Sequence, residues 1–284
     1  MRRLFLALLL AGCVPAGALR RGGVDVLVIA PHPDDEVLLA AGVMDRAVRD
    51  GRSVAVIVVT NGDYSCERDG YLREAESVAA LKLLGVTEVH FLGYPDGALA
   101  KLGTSPLGPM EHRDATGQCI ARTGTYADRS AGRLDEHTAR TGQPAEWTAD
   151  ALTGDLAALL VRLAPKEVYL PHRRDEHPDH AMTYDFFRRA LDGLPTAPLV
   201  HRGVVHAGEC WPSDCVKYFT PGLPTPLPFA GAPVERLPVD PFKKLQAITK
   251  YTSQLSPWLT SFARADELFF PERYVREGGR WVPE

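Results

Sequence analysis

Two short runs hold residue types that could do chemistry together. One is Pro31-His32-Pro33-Asp34-Asp35-Glu36 and the other is His177-Pro178-Asp179-His180. A histidine and several acids packed into one turn are costly to bury without a partner. A divalent cation answers that cost, and zinc accepts both imidazole nitrogen and carboxylate oxygen. His32 and Asp35 stand three residues apart, so one turn can aim both the same way. Asp34, between them, would sit beside an ion without having to bind it. Alone, a His-x-x-His pair reads first as surface or helix-capping histidine. Its weight here comes from repeating the His-Pro-Asp theme at a second strand end.

The elements that must position these runs are legible nearby. Val24 to Ala30 and Val54 to Val59 are nearly continuous apolar stretches rich in β-branched residues. Such runs predict strands buried on both faces of a parallel sheet. Val89 to Leu92 and Val168 to Leu170 predict two more. Helical spacing runs over Glu36 to Arg49, over Leu72 to Leu84 before Gly85, and through Leu152, Leu156, Leu159, Leu160 and Leu163 after a Thr148 cap. Further helices are expected over about Ala181 to Leu191 and about residues 242–252. The alternation predicts a Rossmann-like, doubly wound, mainly parallel α/β sheet in one domain. In such sheets ligands bind at the carboxyl ends of strands, where both chemical runs fall.

At 284 residues and 45% hydrophobic, the chain can bury one sizeable core, and it shows no internal repeat or Ser/Gly linker. Its net charge of -4 comes without a basic block, which argues against nucleic acid as a partner. Residues 1–18 read as an export segment: Arg2 and Arg3 precede an apolar Leu4 to Leu10, too short to span a bilayer. Leu10-Ala11-Gly12-Cys13 resembles a lipobox, and Ala16-Gly17-Ala18 offers ordinary cleavage. The expected location is therefore the bacterial envelope, through a lipid anchor, or outside the cell; an uncleaved anchor is the plainer alternative. Cys66, Cys119, Cys210 and Cys215 fit an oxidising compartment and allow three pairings. Cys210 with Cys215 would close a local loop and leave Cys66 with Cys119; four unpaired residues are the alternative.

The motifs resemble those of the PIG-L/LmbE family of N-acetylglucosaminyl deacetylases, marked by His-Pro-Asp-Asp-Glu after the first strand and a later His-x-x-His. Thr60-Asn61-Gly62-Asp63, Arg73-Glu74-Ala75-Glu76, Leu92 to Gly97, Ser253-Gln254 and Phe262 to Glu267 follow in the family's order, so the resemblance covers about residues 24–270. It implies a zinc-dependent hydrolase that removes the acetyl group from an N-acetylglucosamine-type sugar or its conjugate. Carried over by residue, it implies His32, Asp35 and His180 as zinc ligands and Asp34 as general base. His177 would polarise the carbonyl or, protonated, stabilise the oxyanion, and Arg73 and Asp96 would contact the sugar. Some members carry a tyrosine, a candidate acid, two residues before the first histidine of the second motif. Asp175 stands there in this chain. That leaves Asp34, His177 or Asp175 to protonate the leaving amine. Iron(II) or cobalt would also suit two imidazoles and a carboxylate.

Residues 101–147 and 207–241 match nothing in the family pattern, and substrate choice is expected there. Several site residues also have plainer readings. Arg73 can pair with Glu76 along its helix, Asp96 in Tyr-Pro-Asp-Gly can simply form a turn, and Asn61-Gly62 is first a turn. His206, with Glu209 and Trp211, offers an edge for a sugar ring, although a structural histidine is the commoner outcome. Three other functions compete. A zinc amidase for a larger acyl group would use the same residues. A non-catalytic, zinc-bearing carbohydrate-binding lipoprotein would have no use for Asp34 as a base. A dinucleotide-binding oxidoreductase needs a G-x-G-x-x-G after the first strand, which this chain lacks.

Overall fold

A computed structural model of the protein describes residues 23–64, 67–108, 110–111, 121–208, 211–212 and 221–284. The export segment, all five cysteines, His112 and Glu209 lie outside the described residues, as do 112–120 and 213–220 within the two unmatched stretches.

Seven strands form the central sheet: β1 (Val26–Ala30), β2 (Val54–Thr60), β3 (Glu88–Tyr94), β4 (Glu167–Pro171), β5 (Leu199–Gly203), β6 (Glu235–Pro238) and β7 (Asp266–Glu272). Their spatial order is β3-β2-β1-β4-β5-β7-β6. The first five run parallel, with Val26 opposite Val54 on one side and Glu167 on the other. β7 and β6 complete the edge antiparallel. The two longest apolar runs explain themselves here. Val26, Val28, Val54, Val56 and Val58 face one core, whereas Leu27, Ile29, Ala55, Ile57 and Val59 face another. Successive side chains of a strand point to opposite faces, so a strand covered on both sides must be apolar throughout.

Helices α1 (Asp35–Arg49), α2 (Glu67–Leu83) and α6 (Pro241–Ile248) pack together on the first core. Helices α4 (Ala149–Leu163) and α5 (Pro178–Leu191) pack on the second; short helix α3 (Glu136–Thr141) precedes α4 in sequence, and short helix α7 (Pro257–Thr260) follows α6. The doubly wound, mainly parallel, single-domain architecture expected from the sequence is therefore present.

Some bounds differ from expectation for local reasons. α2 begins at Glu67 rather than Leu72, and continues through Gly70, where a Cβ would come within 2.9 Å of the Tyr126 hydroxyl. α5 begins at Pro178 rather than Ala181, because His177 caps it. The last long helix stops at Ile248. Strands β5, β6 and β7 had no legible apolar run, since they sit toward the sheet's antiparallel edge with part-exposed or polar residues.

Candidate metal centre and its cleft

The parallel strands reverse order between β1 and β4, one connection leading out to β2 and the other returning across to β4. That switch point opens a crevice at the carboxyl ends of the strands. The turns after β1 and β4 both enter it. The first is tightly closed: the His32 amide donates to Asp35 Oδ2 at 3.0 Å, and the Asp35 amide returns to the His32 carbonyl at 3.2 Å. Asp34 caps α1 with φ at 135°, a region that favours glycine. It is held there by its own amide, which donates to Glu36 Oε2 at 2.9 Å, and by its carbonyl, which accepts from Val37 and Leu38. Glu36 is buried and anchored in turn by the Tyr251 hydroxyl at 2.6 Å and by Ser77.

His32, Asp35 and His180 converge. His32 Nδ1 lies 2.9 Å from Asp35 Oδ2 and 3.3 Å from His180 Nε2, and His180 Nε2 lies 3.1 Å from Asp35 Oδ2. Ligand atoms around tetrahedral zinc, at bonds of about 2.0–2.1 Å, stand about 3.3 Å apart. The triangle thus has the size of one face of such a centre. Electrostatics agree. Burial opposes charge on His32, yet Asp96, Asp179 and Asp35 outweigh it and hold the ring well above the usual histidine range. Burial likewise opposes charge on His180, but Asp35 and Asp175 raise it to about 9. A pocket that draws protons onto buried imidazoles is one that a dication would satisfy. These residues form a His-His-Asp metal-binding group.

Two other groupings bring donor atoms within 4.8 Å: His32, His177 and His180, and His32, Asp96 and Asp179. The second gathers at the outer nitrogen of His32, where Nε2 lies 3.1 Å from Asp96 and 3.3 Å from Asp179. Asp179 is already committed, accepting the Gly97 amide at 2.7 Å and the Leu99 amide at 3.1 Å. It therefore serves as the carboxylate that orients a ligating imidazole from behind. Asp175 does the same for His180, facing its Nδ1 at 3.4 Å while accepting amides from His177, Val205 and His206.

The placement of Asp175 removes it from the list of proton donors: it is buried behind His180 and saturated with backbone hydrogen bonds. A second correction concerns His177. Its Nδ1 accepts the Asp179 amide at 3.2 Å, which leaves the ring proton on Nε2. Burial, then His32 and His180, push its basicity below the usual range. His177 thus accepts at Nδ1 and donates from Nε2, where a ring protonated on both nitrogens was expected.

Arg73 does not pair with Glu76. Its guanidinium crosses into the cleft, where Nη2 meets Asp34 Oδ2 at 3.1 Å and the Pro33 carbonyl at 2.9 Å, and Nη1 lies 3.6 Å from Asp96 Oδ2. Nη1 also donates to the Gly62 carbonyl, and a Cβ on Gly62 would come within 2.6 Å of that guanidinium. Glu76 instead accepts from Thr252 and Ser253. Asp34 is buried, which pushes its carboxyl up to about 7 against the pull of Arg73. Asp96, similarly buried, is held below the usual range by His32 and Arg73. Its amide donates to Asp63, whose other oxygen accepts from the Tyr126 hydroxyl. Asp96 is therefore a wall of the cleft, not only a turn residue.

The cleft measures about 340 Å³ and is completed by His206, Gln254, Ser256, Trp258 and Leu259. Burial and the adjacent His180 lower His206 to about 4, so it too is neutral. The sequence reading missed Asp179 as an orienting carboxylate, although it directly precedes His180. It also missed Trp258, which no local pattern marks, and gave Asp63 only as the end of the Thr60–Asp63 run, without its partners Asp96 and Tyr126.

Residues 27–191 match the PIG-L family, described as GlcNAc-PI de-N-acetylase, and the chain belongs to that family. Among named relatives, the 1D-myo-inositol 2-acetamido-2-deoxy-alpha-D-glucopyranoside deacetylase of Mycobacterium sp. (strain KMS) is 32% identical over 204 residues, covering 62% of this chain and 56% of that protein. The chain thus spans just over half the length of that relative. Two solved structures share the fold. Teicoplanin deacetylase Orf2, in a zinc-inhibited form, aligns at a TM-score of 0.55 and 19% identity over 92% of this chain and 98% of that one. N,N'-diacetylchitobiose deacetylase from Pyrococcus horikoshii aligns at 0.54 and 16% identity over 88% and 84%.

Proposed function

We propose that the protein is a zinc-dependent hydrolase that removes the acetyl group from an N-acetylglucosamine-type sugar or its conjugate. The observation that carries this reading is the triangle of His32 Nδ1, Asp35 Oδ2 and His180 Nε2, with edges of 2.9 to 3.3 Å, beside a buried carboxylate, Asp34, that stands outside it. The family, and the activities of the relatives named above, support the same assignment. A purely sugar-binding protein would have no use for a base held next to its metal.

Bound by His32, Asp35 and His180, zinc would supply a Lewis acid that makes water nucleophilic near neutral pH and polarises the acyl oxygen. The other steps fall to the chain's own groups. Asp34, fixed by Arg73, takes a proton from the attacking water. His177 offers Nε2–H to the acyl oxygen as negative charge develops there. The C–N bond then breaks, and Asp34 returns its proton to the leaving amine, giving free amino sugar and acetate. A carboxyl that burial has moved toward neutrality is suited to both halves of that exchange. Arg73 and Asp96 hold the sugar hydroxyls at the cleft wall. The patterns at residues 2–18 support a site of action in the envelope or outside the cell.

The deciding experiment measures acetate release from a panel of N-acetylhexosamine conjugates, with and without a chelator. Zinc-restored release from at least one conjugate is expected. Equal release after complete metal removal would overturn the mechanism.

A further inference from the structure

The cleft holds one more imidazole than the metal centre and His177 use. His206 lies on the loop after β5, and its ring stands 5.0 Å from that of His180 and 5.2 Å from that of His177. It lines the same cleft as His32, Asp34 and Asp35. Its position is fixed from two sides. The backbone amide of His206 donates to Asp175 Oδ2 at 3.1 Å, tying it to the carboxylate that orients His180. The ring lies on the indole of Trp258, with centroids 4.9 Å apart and planes 23° apart. Trp258 is itself held, donating from Nε1 to the Trp211 carbonyl at 3.1 Å, and Trp211 donates to the Pro224 carbonyl at 2.9 Å.

None of this uses the ring nitrogens. No side-chain hydrogen bond to His206 occurs among the described residues, although nearly every other polar side chain around it is committed. An imidazole kept only for packing beside a metal centre would be replaced by an aromatic ring at no cost in hydrogen bonding. Here the polar ring is oriented by stacking and left half-buried with its nitrogens free, between the ligand His180 and the donor His177.

We propose that His206 is a further catalytic residue, hydrogen-bonding the substrate's acetamide and sharing with His177 the charge that develops on the acyl oxygen. This rests on the deacetylase reading, since it needs an acyl group bound between those two rings. Two donors aimed at one developing charge is the usual composition of an oxyanion site, and removing one such donor lowers kcat on the order of 10²–10³-fold.

The test compares His206→Phe, which keeps a ring on Trp258 and removes both nitrogens, with His206→Gln, which restores a donor. Both are assayed with zinc content measured on the same samples, against a conjugate the wild type deacetylates. With zinc bound one per chain in each, we expect His206→Phe to lose on the order of 10²-fold in kcat with KM nearly unchanged, and His206→Gln to recover about tenfold of that. A kcat/KM for His206→Phe within about threefold of wild type would overturn the proposal, as would equal losses in both variants. Should the phenylalanine variant not fold, His206→Met against His206→Gln makes the same comparison. A wild type that releases acetate from no conjugate refutes the deacetylase reading instead, so the two failures are distinguishable.

Discussion

Helix α1 carries Asp35 and Glu36 in its first turn, and it is broken one turn later. Ala40 has φ -139° and ψ 25°, outside the helical range. In a regular helix the Gly42 amide would pair with the Leu38 carbonyl. Here a buried ion pair enters the break: Lys244 Nζ donates to the Leu38 carbonyl at 2.7 Å, and Glu267 accepts the Gly42 amide at 2.8 Å and the Val43 amide at 3.0 Å. Lys244 and Glu267 meet at 2.8 Å, and neither side chain is accessible to solvent. Replacing Lys244 by Met leaves a buried carboxylate without its cation and the Leu38 carbonyl without its donor. Breaking a buried pair from one side costs about 3–5 kcal/mol. For a domain of this size each kcal/mol moves Tm by about 2–4 °C, so Lys244→Met should melt about 6–20 °C lower in a calorimetric scan. Lys244→Met combined with Glu267→Gln should recover part of that loss, because the stranded charge is gone and a carboxamide oxygen can still accept one amide. A single variant within about 2 °C of wild type would show that the pair does not support the break. A double variant as unstable as the sum of both singles would show that the two residues act separately.

Three further outcomes are expected. Asp34→Asn should retain zinc by atomic absorption yet release acetate on the order of 10²–10⁴-fold more slowly, and full activity would remove Asp34 from the mechanism. Asp179→Asn should weaken zinc binding by about 10–100-fold in a chelator competition, because His32 loses the carboxylate behind it; unchanged affinity would refute that role. His172, buried against Phe229 and Phe270, is held down to about 4 first by burial and then by Arg202 and Arg174. The unfolded chain therefore binds this proton more readily between the ordinary histidine value and about 4, and stability falls as pH drops through that window. His172→Asn should flatten the slope by up to about 1.4 kcal/mol per pH unit, measured by urea unfolding, and an unchanged slope would exclude His172 as its source.

What could be read in advance follows from how far each interaction reaches along the chain. The parallel core was legible because a strand covered on both faces leaves an unbroken apolar run, as Val54 to Thr60 does. The first metal turn was legible because His32 and Asp35 interact across three residues. Their supports were not, since Asp179 meets His32 across 147 residues and Glu267 meets Gly42 across 225. At that separation an acid in the sequence carries no mark of what it will hold. The edge strands were missed for a different reason: an antiparallel edge need not be apolar on both faces.

The same long-range acids explain why a site of many buried carboxylates can coexist with a stable fold. Asp179 takes amides from the loop after β3 while facing His32, and Asp175 takes amides from the loop after β5 while facing His180. Asp63, at the end of β2, takes the Asp96 amide and the Tyr126 hydroxyl. Each carboxylate thus satisfies backbone groups that would otherwise be orphaned at a strand end, and Asp179 and Asp175 also orient an imidazole of the metal triangle. Ligand orientation and loop closure are performed by the same atoms. The turns that meet at the switch point are therefore registered against one another by hydrogen bonds of the chain itself, and the entropy of ordering His32 and His180 is lost on folding.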